Sequence, residues 1–124
     1  MAQWQWMGWI NVVLALFMGS IYPLKQQIKN YKKLAPVYRK MRIIHPVTGV
    51  VMILVGLFHG YMALGSIRIH SGSLILIILI LMGLTALAGT RIKAFRKNWR
   101  IVHRLLAVLL FASVLAHLIW PWWL

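Results

Sequence analysis

The chain has 124 residues, room for one domain, and 62% of them are hydrophobic. A mean hydropathy of +0.82 excludes a water-soluble globule of this size, which would need far more polar surface. Fourteen Lys and Arg stand against no Asp or Glu, and the lack of Cys excludes disulfides, iron–sulfur ligation and thioether-linked haem.

Four segments approach the roughly 20 apolar residues with which a helix crosses a bilayer core of about 30 Å. The first covers about 7–24. No Lys or Arg precedes it, so it does not read as a cleavable signal and is expected to be retained. The second covers 43–65 and the third 73–90, which is almost wholly aliphatic and suits a helix facing lipid. The fourth covers 101–120. A spanning strand needs a closed barrel, which four strands cannot make, so the fold class is all-α. The whole chain, 1–124, is expected to be one four-helix transmembrane bundle running up-down-up-down.

The connecting segments orient it. Residues 25–42 hold seven basic side chains and 91–104 hold six, whereas the loop between the second and third spans holds only Arg68. Thirteen of the fourteen cations thus share one side. The positive-inside rule places that side in the cytoplasm and both termini on the non-cytoplasmic face. Trp4, Trp6, Trp9, Trp120, Trp122 and Trp123 would then belt the outer interface and Trp99 the inner one. Because the charge has this topological explanation, no nucleic acid partner is expected. The chain reads as a multi-pass protein of a bacterial or archaeal cytoplasmic membrane, with lipid as a partner and anionic lipid as a further role for the cations.

Ligand-capable side chains inside a membrane are costly and mark function. His45 and His59 lie on the second span, 14 residues apart, and His103 and His117 lie on the fourth at the same spacing. Helices separated by one intervening helix run in the same direction, so His45 matches His103 in depth and His59 matches His117. Fourteen residues are two heptads, which returns both histidines of a helix to one seam, about 21 Å apart. Each level offers two facing imidazoles, as bis-His ligation of a haem requires, and such ligation favours electron transfer over O₂ binding. Two non-covalent haem b groups are the expected cofactors, with the four histidines as iron ligands.

The stripes between them fit. One runs His45, Gly49, Met52, Gly56, His59 and the other His103, Ala107, Leu110, Val114, His117. Small residues near the ligands let a flat macrocycle approach, and Met52 and Leu110 are expected to fill the layer between levels. Hydrogen-bonded helix cross-links are the plain alternative, against which two pairs at one spacing speak. Zinc would find only half a tetrahedral set at each level. His70, in the outer loop, reads as a solvated residue. Haem propionates call for cationic partners, here Arg42, Arg104 and Arg100 at the inner level and Arg68 at the outer. Pro46 directly after His45 biases that residue away from helical angles and predicts a kink or a helix start there.

This pattern resembles the four-helix haem-binding bundle of the cytochrome b family, whose ligands sit on the second and fourth helices as H-x13-H pairs. The likeness spans the four helices and rests on His45, His59, His103 and His117. The glycines of the first and third spans do not follow the family's spacing, and the Pro-Glu motif of a quinol-oxidising site is absent. The resemblance implies transmembrane electron transfer by a cytochrome subunit of an oxidoreductase rather than an enzyme acting alone. It would link a quinone pool or cytoplasmic-side donor to a redox partner or catalytic subunit. The alternative is a haem-free membrane anchor or assembly subunit.

Overall fold

A computed structural model describes residues 3–66 and 69–121, and among them every regular element is helical. The elements are α1 (Gln3–Gly19), α2 (Ile21–Gln27), α3 (Ala35–Leu64), α4 (Ser71–Arg91) and α5 (Trp99–Ile119). Single 3-10 turns at Lys32–Leu34 and Lys93–Phe95 lead into α3 and away from α4. Ser20 keeps helical angles between α1 and α2, so the two form nearly one rod. Four stretches are long and apolar enough to cross a membrane: Trp4–Gln27, Lys32–Leu64, Ser71–Arg91 and Trp99–Ile119.

The burial pattern fits an integral multi-pass protein. Few side chains are fully enclosed: the core is Ala15, Met52, Ile78, Leu79, Met82 and Leu110. Large aliphatic residues such as Ile43 (75% exposed) and Val108 (68% exposed) point outward along the spans. Facing water, so much apolar surface would drive association; facing acyl chains it costs nothing.

The second helix departs from the hydropathy boundaries. It begins at Ala35, eight residues before the apolar run, because Pro36 sits in its first turn, where a missing N–H is harmless and the fixed φ favours a helix. Arg39, Lys40 and Arg42 are therefore helical and exposed. Pro46 does not start a helix; it lies inside α3. Proline removes the N–H that would reach the Arg42 carbonyl, but that carbonyl belongs to the exposed basic end, where water can satisfy it. Two residues on, the Thr48 hydroxyl donates to the Ile44 carbonyl at 3.1 Å. At its other end α3 stops at Gly65, whose φ of +62° is the left-handed turn that glycine adopts without strain.

Contacts close the helices into a ring: α1 on α3, α3 on α4, α4 on α5, and α5 lightly on α1. Trp4 meets His59, Asn11 reaches the Met52 carbonyl, and Gly49 faces Met18. Between α4 and α5, Ser71 meets His117, Met82 meets His103, and Gly89 abuts Trp99. Gly56 faces Leu76, and Gly19 lies under the Phe111 ring.

Candidate functional site

The ring order sets α3 and α5 opposite each other, and all four span histidines sit on those two helices. At the basic end the rings of His45 and His103 lie 6.1 Å apart, centre to centre, with their planes at 60°. The Trp99 ring stands edge-on to His103 at 6.0 Å. His45 Nδ1 is buried and has no hydrogen-bond partner.

At the other end His59 and His117 line one cavity of about 430 Å³, a volume typical of small-molecule and cofactor sites. Its walls include Gly8, Gly56, Gly60 and Val114, with Met52 and Leu110 among its other lining residues. Gly8 lies against His59 so closely that a Cβ there would come 3.1 Å from the imidazole. Met52 and Leu110 are 3% and 4% exposed and belong to one cluster, so an apolar layer separates the two histidine levels.

The hydrogen bonds to the rings assign their protons. His59 Nδ1 lies 2.6 Å from the Trp4 carbonyl and His103 Nδ1 lies 3.1 Å from the Met82 carbonyl. A carbonyl only accepts, so each Nδ1 carries the hydrogen and donates. His117 Nδ1 lies 2.6 Å from the Ser71 hydroxyl, which itself donates to the Pro121 carbonyl at 2.6 Å. That hydroxyl has one hydrogen, so it accepts from His117. Three of the four imidazoles are thus held with Nδ1 protonated, which leaves the lone pair on Nε2. Metal-ligating histidines are oriented in this way by a second partner.

Several contributors escaped the hydropathy pattern. Ser71, 1% exposed, is the most enclosed side chain of the site. Asn11 lines the cavity from α1, with its Oδ1 buried and unpartnered. His70 is no free loop residue. It immediately precedes α4 and lines the same cavity, and its Nδ1 lies 2.9 Å from the Ser73 hydroxyl. An outer-loop histidine followed three residues later by Ser was the available signal.

The arginines are placed unevenly. Arg42 and Arg104 are both exposed at the basic end, and the Arg104 guanidinium lies 5.0 Å from the centre of the Tyr22 ring. Arg100 lies 5.6 Å from the Trp99 ring centre. Arg68, Trp122 and Trp123 fall outside the described residues.

Among the described residues no three or more His, Cys, Asp or Glu side chains converge as a metal-binding group. The donor set is two imidazoles at each level, too few to enclose a bare zinc ion but the number that completes an iron already held in a macrocycle. The donors and the glycine-walled cavity at His59 and His117 fit such a group, and at the basic end the fit rests on the ring pair. No family model matches the chain, and no curated protein or solved structure matches it either.

Proposed function

We propose that this chain is a membrane cytochrome that carries electrons across the bilayer through two bis-His haem b groups, one between His45 and His103 and one between His59 and His117. The observation that carries the proposal is the shared state of three ligands: His59, His103 and His117 each spend Nδ1 on a fixed acceptor and keep Nε2 for a metal. When bound, haem would supply a one-electron ferric–ferrous couple, and an imidazole pair holding it at each level would favour electron transfer over O₂ binding. The chain's own work is to hold the rings, to exclude water with the Met52 and Leu110 layer, and to wall the outer cavity with glycine.

In this reading the bundle runs up-down-up-down, which the order of contacts along α1, α3, α4 and α5 supports. The thirteen cations face the cytoplasm of a bacterial or archaeal cell, and both termini face outward. Arg42 and Arg104 at the inner level, and Arg68 at the outer, serve the propionates. With no Asp or Glu to handle protons, the chain works as a subunit beside a redox partner or catalytic subunit, with a quinone or a cytoplasmic-side donor supplying electrons.

The test is direct. The pure chain, reduced with dithionite, should show b-type α and Soret bands, and a pyridine haemochrome assay should return close to two haems per chain. A value near zero from protein expressed with ample haem would sink the proposal and leave a membrane anchor.

A further inference from the structure

A second concavity lies away from the histidines, toward the basic end. A shallow, open groove of about 510 Å³ runs along α4 into the turn that follows it. Its walls are Leu81, Leu84, Ala88, Ile92, Ala94 and Phe95. Thr85 also lines it, but its hydroxyl donates to the Met82 carbonyl at 2.8 Å, so this polar group is satisfied within its own helix. The groove is accordingly apolar, and Leu84 and Ile92 are each 54% exposed along it.

Cations adjoin these wall residues. Arg91 and Lys93 flank Ile92 in the chain, Arg96 follows Phe95, and all three are exposed. With no Asp or Glu anywhere in the sequence, none of them has a side-chain carboxylate partner within the chain. Uncompensated like charges repel, and the anions that neutralise them must come from outside. Each half of this feature selects a different part of one molecule. A soluble acidic protein would answer the cations and leave the groove bare. A zwitterionic lipid would fill the groove and leave net positive charge beside it. Basic side chains at the cytoplasmic ends of transmembrane helices are where anionic headgroups bind.

We propose that this groove and the adjoining Arg91, Lys93 and Arg96 form a binding site for an anionic phospholipid, with an acyl chain along α4 and the phosphate among the three cations. The site is separate from the histidines and stands whether or not the chain carries haem.

Native mass spectrometry of the full chain in detergent tests it, with phosphatidylglycerol and phosphatidylcholine added at equal concentration. The wild-type chain should retain phosphatidylglycerol in preference by roughly a hundredfold, at about 1 kcal/mol for each of the three cations near an anionic headgroup. The combined change Arg91→Gln, Lys93→Gln, Arg96→Gln should abolish the preference, and Lys93→Gln alone should reduce it severalfold if the triple variant does not fold. Ala88→Trp, which fills the groove and keeps every cation, should lose the retained lipid. A charge-matched control, Lys29→Gln, Lys32→Gln, Lys33→Gln, should keep it, and millimolar inorganic phosphate should not displace it. Equal retention of both lipids by the wild type would overturn the site. So would a control that weakens binding as much as the Arg91 triple, an Ala88→Trp variant that binds normally, or displacement by phosphate alone.

Discussion

The Ser71 hydroxyl accepts a hydrogen bond from His117 Nδ1 at 2.6 Å and donates one of the same length to the Pro121 carbonyl. One fully enclosed side chain thereby ties the first turn of α4 to the end of α5 and fixes an imidazole that lines the cavity. Removing it should be felt in both structure and chemistry.

In Ser71→Ala the half-buried His117 ring nitrogen loses its acceptor, at a cost of about 1–3 kcal/mol, whereas the carbonyl of the exposed Pro121 can turn to water. Thermal unfolding in detergent should fall accordingly. An acceptor on Nδ1–H raises the basicity of the opposite nitrogen, so in the proposed cytochrome its loss should raise the reduction potential of the haem held by His117 and leave the one held by His103 unmoved. A redox titration showing both potentials unchanged would remove Ser71 from the site.

The proposed ligand pairs predict which changes should coincide. His59→Ala and His117→Ala should each damage the same haem, and the double change should cost no more than that one. His45→Ala combined with His59→Ala should disturb both haems, because it strikes one ligand at each level. Non-additivity of the first kind marks two residues sharing one site. Electron paramagnetic resonance of the low-spin signals would read it, and coincidence of His59→Ala with His103→Ala would break the assignment.

Gly89 offers a test of packing alone. A Cβ there would overlap the Trp99 ring, so Gly89→Ala forces the ring or α5 to move. Overpacking of this kind costs roughly 1–3 kcal/mol, more than the helix propensity that alanine gains. In a Trp99→Leu background the same change should be nearly free. Melting temperatures of the four proteins in this cycle would give the coupling.

Orientation is best tested at exposed positions. Ile69 is 91% exposed next to α4, and Lys33 is exposed in the turn before α3. Ile69→Cys should react with an impermeant maleimide added outside sealed cells, and Lys33→Cys only after lysis. Labelling of Lys33→Cys from outside would invert the topology. Ser71, although in the same outer region, is too enclosed to report.

The spans were legible because a membrane helix needs a long apolar run, and the four histidines stood out against one. Boundaries were harder. Hydropathy stops at charged residues, whereas α3 continues through Arg39, Lys40 and Arg42 because lysine and arginine are good helix formers and Pro36 opens the first turn. The partners of the imidazoles were invisible for another reason. Trp4 and Met82 act through backbone carbonyls, which every residue has, and Ser71 acts through a contact 46 positions away in the chain. Asn11 gives no signal of its own, because one polar residue in an apolar window barely lowers its average.

The depth of the two histidine levels has an electrical consequence. Fourteen residues of helix separate them by about 21 Å, and the hydrocarbon layer is about 30 Å thick. An electron passed from one level to the other would therefore cross roughly two-thirds of the voltage drop. Moving one elementary charge through the whole of a 100 mV potential is worth about 2.3 kcal/mol, so this step alone would feel about 1.6 kcal/mol. Energising the membrane would accordingly shift the equilibrium between the two irons about fifteenfold per 100 mV. Whichever way the proposed cytochrome conducts, it would charge or discharge the membrane by most of a unit for every electron it passes.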